Sequence, residues 1–188
     1  MSLIAITGGI GAGKSVVSHI LSVLGYPVYD CDSEAKRLMV CDSRLVQQIT
    51  ELFGHDAYCS DGSINREYLS RQIFNAKSKL ALMNSLVHPV VLNDIVQWSK
   101  SAAGDMHFVE TALFAESGMN KIISTVWNVT APVDVRIRRV ARRSNLTDEQ
   151  VLARINSQSE IPEGINICNI CNDDMTAVLP QVLKLLYK

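Results

Sequence analysis

The stretch Thr7-Gly8-Gly9-Ile10-Gly11-Ala12-Gly13-Lys14-Ser15 decides the fold, because it matches the phosphate-binding loop pattern GxxxxGK[S/T]. A short apolar run at residues 3–6 precedes it and predicts a buried strand. After it, apolar residues recur at helical spacing from residue 16 to residue 24, and Gly25 is expected to end that helix. Strand, glycine loop and helix therefore follow one another in the order that binding of a polyphosphate requires.

The glycines of this loop allow consecutive backbone N–H groups to face one anion, and the positive end of the following helix adds to their field. Lys14 is expected to reach the β- and γ-phosphates of ATP, and the Ser15 hydroxyl to hold a Mg²⁺ ion that bridges them. The alternative is a glycine-rich turn with a surface lysine, which the flanking strand and helix disfavour. The predicted ATP-binding residues are Gly9, Gly11, Ala12, Gly13, Lys14, Ser15 and Val16.

The composition limits the remaining possibilities. With 188 residues the chain is long enough for one α/β core with an insertion or lid, but too short for two independent domains of ordinary size. A net charge of −1 gives no broad basic surface for nucleic acid. No apolar run is long enough to cross a membrane and no signal segment is recognised, so a cytoplasmic location is predicted.

Five cysteines, an odd number, lack the paired spacing of a disulfide framework and are expected to be free thiols. Cys168 and Cys171 have the spacing of a redox motif, but they lie in an apolar run without a second CxxC that would complete a zinc site. Ordinary strand cysteines are therefore favoured over a redox or metal function.

A second short strand, at residues 26–29, ends at Asp30-Cys31-Asp32. Ligands of open parallel sheets bind beyond the carboxyl ends of the strands, so these carboxylates are expected to face the phosphate loop. Asp32 is predicted to be the base that orients and deprotonates the attacking hydroxyl, and Asp30 is a candidate Mg²⁺ ligand. Either aspartate could instead cap the helix that is expected to begin near Ser33.

The region from residue 33 to about 103 is helical with breaks, which is more than a strand crossover requires, and it predicts an inserted substrate-binding region. A loop is predicted at residues 54–64 because of the turn signal Asp61-Gly62. The last of the helices is expected to begin with Pro89 in the first turn. The predicted helices are 33–40, 43–53, 66–74, 78–86 and 89–101.

Further strands are predicted at residues 107–110, 125–131 and 165–171, and a final helix at residues 176–186 with Pro180 near its first turn. Glu110 ends the first of these strands and Glu116 follows it. Each could be a group around a magnesium ion or an ordinary surface charge.

An arginine-rich helix is predicted at residues 133–143, followed by a capped helix from about residue 146 to residue 158. Arg139 and Arg143 are four residues apart and share a face of the first helix. A basic helix is usually a solvated surface, but in a phosphate-loop protein a mobile lid can bring arginines to the transferred phosphoryl group. We therefore predict a helical lid at about residues 133–163 that carries Arg139 and Arg143 as catalytic residues.

With these motifs in view, the chain resembles the dephospho-coenzyme A kinase family almost from end to end. The loop at residues 7–15 is similar to the family's TGGIGSGKS, and residues 28–32 (VYDCD) to its V-x-DAD strand end. Residues 61–66 (DGSINR) resemble DG-x-L-x-R, and residues 113–118 (LFAESG) resemble PLLFESG. His88-Pro89 matches an HP-centred helix start, and Arg139 with Arg143 matches the lid motif RxxxR.

The resemblance implies phosphorylation of the ribose 3′-hydroxyl of dephospho-coenzyme A by ATP and Mg²⁺, with Asp32 as the base and with Arg66 and His88 as substrate-side residues. It implies one P-loop NTPase-type α/β domain, with a parallel-sheet core (about 1–32, 104–132 and 164–188), a helical substrate region (about 33–103) and a lid. The sequence departs from the family at Ala112, Glu110 and Ser144, where proline, aspartate and aspartate are usual. The family's charged stretch after Gln158 is also shortened.

Two other functions remain open on the sequence. The first is a P-loop kinase for another small nucleotide-like acceptor, such as a nucleoside monophosphate. The second is a nucleotide-dependent switch. For a guanine nucleotide, Asn120-Lys121 is not followed by the aspartate of NKxD, since Ile123 stands there, and DxxG is absent. The expected assembly is a monomer or a small homo-oligomer.

Overall fold

The computed structural model describes residues 2–74, 76–144 and 146–187, and within them the chain divides into two compact units. One unit consists of the chain up to Asp30 and from Ser101 onward, and the other consists of Cys31–Lys100. Five parallel strands among the described residues form the sheet of the first unit, in the order β2-β3-β1-β4-β5. They are β1 (Ser2–Thr7), β2 (Val28–Asp30), β3 (Met106–Glu110), β4 (Thr125–Thr130) and β5 (Asn166–Cys171).

The core of the first unit lies between this sheet and two helices, α1 (Lys14–Val23) and α8 (Val178–Leu186). The middle strand β1 is buried from Ile4 to Thr7, as expected of a parallel strand that is covered on both faces. The Phe108 ring of β3 packs against two other aromatic rings. Its centroid lies 5.0 Å from that of Trp127 on β4 and 5.6 Å from that of Tyr26, which precedes β2. The predicted α/β class is confirmed.

Two further helices of this unit, α6 (Val133–Arg143) and α7 (Asp148–Asn156), form the predicted hairpin. The arginine-rich helix has the bounds that the sequence predicts. The start of α7 is fixed by a capping box, in which the Thr147 side chain accepts from the backbone of Gln150 and the Gln150 side chain accepts from the backbone of Thr147.

The second unit is helical. Its elements are α2 (Cys31–Cys41), α3 (Ser43–Phe53), α4 (Arg66–Phe74) and α5 (Lys77–Ser101). Asp42 caps α3 by accepting from the N–H of Leu45. The predicted loop at residues 54–64 contains a 3₁₀ turn at His55–Ala57 and a single antiparallel bridge between Tyr58 and Ile64.

The prediction of two separate helices at 78–86 and 89–101 is wrong. One helix, α5, runs through both ranges with Pro89 in its interior, so Pro89 is not in a first turn. The reason is a continuous buried stripe with a period of four residues that passes the proline on both sides. Burial of this stripe outweighs the hydrogen bond that proline removes. The stripe consists of Met83, Val87, Val91, Ile95 and Ser99.

The start of α2 also differs from the prediction. The helix begins at Cys31 rather than near Ser33, so Asp32 lies in its first turn, directly after β2. A carboxylate at that end of a helix is stabilised by the helix dipole.

The cysteine and membrane predictions can be compared directly with the structure. All five cysteines lie within the described residues, and none forms a disulfide. Cys168 and Cys171 are three residues apart on β5, so their side chains lie on opposite faces of the strand. Of the helices described above, none has the length and apolar character that a membrane span requires.

Candidate functional site

The phosphate loop joins the carboxyl end of β1 to the first turn of α1, in the middle of the sheet. The amide of Ala12 donates to the Gly9 carbonyl (3.0 Å), which closes a turn inside the loop, and the amide of Val16 donates to Gly13 (3.0 Å) as the helix begins. Lys14 is the first residue of α1, and its Nζ donates to the Gly8 carbonyl at 3.1 Å. The ammonium is therefore held over the loop.

The exposed start of α1 presents Ser15 and Val16 to solvent, whereas Ala12 is buried beneath them. A helix N-terminus attracts anions because its first amides have no partner within the helix. Ser15 supplies a hydroxyl at this point, next to the Lys14 ammonium. The loop and the first turn of α1 thus place backbone donors, one cation and one hydroxyl directly after the carboxyl end of β1.

The outer side of the loop is held by Arg139 and Asn172. Arg139 donates from Nη1 to the carbonyls of Gly11 (3.2 Å) and Ala12 (3.3 Å), and Asn172 donates from Nδ2 to the Ala12 carbonyl at 2.9 Å. In a trans peptide, the carbonyl and the following N–H point in opposite directions. Fixing the Ala12 carbonyl outward therefore directs the Gly13 amide toward the opposite side of the loop.

Gly13 is the position where a side chain would be least tolerated. Its φ of 94° lies in the left-handed region, and a Cβ there would come within 2.1 Å of Asn172 Nδ2. The loop and the end of β5 can approach this closely only because residue 13 is glycine.

Arg139 is also tied to the loop between β5 and α8. Its Nη2 donates to the backbone carbonyl of Asn172 (3.0 Å), to Asn172 Oδ1 (3.1 Å) and to Asp174 Oδ1 (2.5 Å). Arg138 donates to the other oxygen of Asp174 at 2.9 Å. Hydrogen bonds from Arg139 and Arg138 hold the pKa of Asp174 below its ordinary value. The charge of Arg139 is thus paired, and its side chain supports the loop from outside.

The same connection is stiffened by Asp173. Its carboxylate accepts from the backbone amides of Thr176 (2.6 Å) and Met175 (3.0 Å). These backbone hydrogen bonds lower the pKa of Asp173 to about 2. The segment that carries Asn172 and Asp174 is therefore fixed next to the phosphate loop.

Carboxylates end the two strands on one side of β1. Asp30 at the end of β2 is in register with Glu110 at the end of β3, and Glu110 pairs in turn with Ile6 of β1. Oxygen ligands of this kind suit Mg²⁺, which commonly takes one or two carboxylates together with substrate phosphates. Within the described residues no group of three or more His, Cys, Asp or Glu side chains could form a closed metal cage.

A cleft of about 340 Å³ opens beside the loop, in the first unit. Glu116, on the segment after β3, accepts from the Ser159 hydroxyl at 2.6 Å and so ties that segment to one wall of the cleft. The lining residues are Thr7, Gly8, Gly9, Ala112, Asn128, Gln158, Ser159, Glu160, Ile161 and Ile167.

In the second unit, Arg66 is exposed at the start of α4, and His88 is half-buried inside α5. Arg66 lines an apolar pocket of about 450 Å³ that lies wholly in this unit. The lining residues are Lys36, Met39, Ile64, Arg66, Leu69, Ser70, Ile73 and Met83.

The structure brings residues 9–16 and Arg139 together at the loop. Arg143 is exposed near the end of α6, and its side chain makes no hydrogen bond or ion pair with any residue of the described chain. The sequence prediction missed three residues that contact this site: Arg136, Gln158 and Asn172. Arg136 precedes Arg139 by three residues and so shares its face of the helix, which is a signal that could have identified it.

Comparison with known proteins gives a consistent result. A family model described as dephospho-CoA kinase matches residues 2–177 of this chain. A dephospho-CoA kinase from Bacteroides fragilis is 36% identical over 186 residues, which cover 97% of this chain and 90% of the relative.

Solved structures show the same fold. A crystal structure of a Thermus thermophilus protein is similar with a TM-score of 0.77 and 30% identity, covering 99% of this chain and 94% of that chain. A dephospho-CoA kinase from Campylobacter jejuni is similar with a TM-score of 0.67 and 23% identity, covering 98% and 95% of the two chains.

Proposed function

This chain belongs to the dephospho-CoA kinase family, and from that premise we propose that its phosphate loop holds ATP while Asp32 activates the ribose 3′-hydroxyl of dephospho-CoA. The family defines the activity, which is ATP-dependent phosphorylation of dephospho-CoA in coenzyme A biosynthesis. The enzyme transfers a phosphoryl group to an alcohol.

The observation that supports the proposed ATP site most strongly is the loop geometry. Lys14 is already positioned over the loop by the Gly8 carbonyl, at 3.1 Å, and Arg139 and Asn172 hold the outer carbonyls. A preorganised set of donors stabilises developing phosphoryl charge without reorganising during the reaction. We assign ATP contacts to residues 9, 11, 12, 13, 14, 15 and 16 on this basis.

Mg²⁺ is proposed to arrive with ATP. The donors that fit it are the Ser15 hydroxyl and, at the strand end, the Asp30 carboxylate. When bound, the ion would neutralise charge on the β- and γ-phosphates.

Asp32 is proposed as the base because it is an exposed carboxylate in the first turn of α2. A carboxylate that accepts the proton of the attacking hydroxyl typically contributes a factor of roughly 10² to 10⁴ to the rate. Lys36 and Met39 follow Asp32 by four and seven residues, so the three side chains share one face of α2. This face leads from the proposed base to the apolar pocket of the second unit.

The pocket suits the remainder of dephospho-CoA. At a rise of 1.5 Å per residue, Lys36 lies about 6 Å and Met39 about 10 Å along the helix axis from Asp32. Lys36 and Arg66 would pair with the diphosphate, and the apolar wall would receive the pantetheine arm. In this proposal residues 33–103 form the substrate region, with His88 as a further substrate-side residue.

The two lid arginines, Arg139 and Arg143, have different roles in this proposal. Arg139 is committed to the loop and to Asp174, whereas the Arg143 side chain has no such partner in the described chain. Arg143 is therefore our candidate for contacting the transferred phosphoryl group when the lid, at about residues 133–163, closes.

A coupled assay of ADP release tests the substrate. Purified protein should release ADP fastest with dephospho-CoA, and much more slowly with AMP, CMP or pantetheine phosphate. Preference for a nucleoside monophosphate would instead support the alternative of a P-loop kinase for another nucleotide-like acceptor.

Three variants test the residues. Lys14→Ala should abolish measurable transfer, because it removes both a phosphate contact and charge stabilisation of the transition state. Asp32→Asn should slow transfer by roughly 10²-fold or more with unchanged ATP affinity, whereas the neighbouring Asp30→Asn should affect the Mg²⁺ dependence. A parental rate in Asp32→Asn would assign the base to another residue.

The other sequence-based expectations stay predictions. They are a cytoplasmic location, no nucleic-acid or membrane partner, and a monomer or small homo-oligomer.

A further inference from the structure

Arg136 binds the phosphate loop through contacts that the proposed function does not use. Its Nε donates to the Ile10 carbonyl at 2.9 Å, and its Nη2 donates to Gln158 Oε1 at 2.9 Å. The same Gln158 oxygen accepts from the Ile10 amide at 2.9 Å. Both polar backbone groups of Ile10 are thereby held by a pair of side chains that also bind each other.

The guanidinium lies very close to the loop. A Cβ added to Gly9 would come within 2.1 Å of Arg136 Nη2, so the glycine leaves the space that the guanidinium occupies. Partial burial lowers the pKa of Arg136 from its ordinary value. Arg136 is thus a partly desolvated group in contact with the segment that binds ATP.

Arg136 differs from Arg138 and Arg139 in its charge balance. Within residues 2–74, 76–144 and 146–187, no carboxylate forms an ion pair with Arg136. Arg138 and Arg139 are both paired with Asp174. The partners of Arg136 are a backbone carbonyl and an amide oxygen, and both are neutral. A partly buried cation without a counter-ion has a long-range field that solvent screens weakly.

We propose that Arg136 and Gln158 form a positioning pair, in which Gln158 holds Arg136 against the phosphate loop without neutralising it, so that the positive charge of Arg136 strengthens ATP binding. This inference rests on the proposed role of the loop as the ATP site. The identity of residue 158 matters because an amide and a carboxylate offer the same acceptor geometry but differ by one charge.

Gln158→Glu changes the net charge beside the loop while keeping the hydrogen-bond acceptors at residue 158. A carboxylate at residue 158 retains acceptors for the Ile10 amide and for Arg136, and it gains an ion pair. A purely structural role therefore predicts unchanged or higher thermal stability with parental ATP affinity. The charge role predicts unchanged or higher thermal stability with ATP binding weakened roughly tenfold, because the loop loses a net positive charge.

The experiment measures the Kd of Mg·ATP by calorimetry and the melting temperature for five proteins. They are the parent, Gln158→Glu, Arg136→Met, Arg136→Lys and the control Arg142→Met, which removes a charge from an exposed residue of the same helix. We expect roughly tenfold weaker binding in Gln158→Glu and Arg136→Met, partial recovery in Arg136→Lys, and parental affinity in Arg142→Met.

Parental ATP affinity in a stable Gln158→Glu protein would overturn the inference, and so would an equal loss in Arg142→Met. ATP binding by Lys14→Ala shows whether the positioning pair alone is wrong or whether the loop is not the ATP site. If Lys14→Ala no longer binds Mg·ATP but Gln158→Glu binds normally, the loop assignment holds and the positioning pair is refuted. If Lys14→Ala binds normally, the loop assignment itself fails.

Discussion

Replacing Gly13 by alanine should destabilise the protein by more than the same change at Gly25. Both glycines have positive φ angles of similar size, 94° at Gly13 and 88° at Gly25. A Cβ at Gly25 meets no atom within 4 Å, whereas a Cβ at Gly13 would lie 2.1 Å from Asn172 Nδ2. Both substitutions therefore place an alanine in the left-handed region, but only Gly13→Ala also creates a close contact with Asn172.

The magnitudes follow from these contacts. An L-residue in the left-handed region costs about 1–2 kcal/mol, and this is the expected loss for Gly25→Ala. At Gly13 the Asn172 amide must also move, which breaks its 2.9 Å bond to the buried Ala12 carbonyl. The Ala12 carbonyl keeps its bond from Arg139, but the buried Asn172 amide loses its acceptor, which costs about 1–3 kcal/mol more. We expect the free energy of unfolding of Gly13→Ala to fall by about 2–5 kcal/mol.

Urea titrations of the parent, the two single variants and Asn172→Ala would measure these differences. The double variant Gly13→Ala/Asn172→Ala lacks the amide that the new Cβ would meet. Its loss should therefore be smaller than the sum of the single losses by about 1 kcal/mol or more. Equal losses in Gly13→Ala and Gly25→Ala, or strict additivity in the double variant, would refute the reasoning.

Three further predictions concern other parts of the chain. Pro89→Ala should raise the free energy of unfolding by about 1–3 kcal/mol in a urea titration, because residue 89 then donates to the Ser85 carbonyl inside a helix that is already formed. The Asp173 pKa of about 2 lies below its ordinary 3.8, so this carboxylate stabilises the fold above pH 4. That contribution is lost as the pH falls toward 2, and the stability difference from Asp173→Asn should shrink over the same window. Arg139→Ala should lower the melting temperature, whereas Arg143→Ala should leave it unchanged and slow phosphate transfer, as a melting curve and a turnover assay of each variant would show.

The parts of the fold that could be predicted are those that neighbouring residues determine. The bounds of α3 follow from the Asp42 cap and from Gly54 after its last residue. The phosphate loop was recognisable because the spacing of its glycines and lysine is set by the loop's own backbone. Such elements need no knowledge of the rest of the molecule.

Pro89 shows where this reasoning fails. Proline in a first turn is the locally favoured interpretation, and the sequence pattern His88-Pro89 supports it. The observed helix continues because Val87 and Val91, on either side of the proline, are both buried. Burial of a stripe depends on what packs against it, which the local sequence does not contain.

The arginines of α6 show the same limit in the site. Their spacing identifies a shared face, but the function of each depends on which oxygen atoms lie opposite. Asp174 balances the charge of Arg139, and Gln158 binds Arg136 without balancing it. Two arginines of one helix face thus make equally good hydrogen bonds and contribute differently to the field at the loop. The difference arises at residues 158 and 174, far from either arginine in the sequence, so only the folded chain separates the supporting arginine from the one whose charge remains available to ATP.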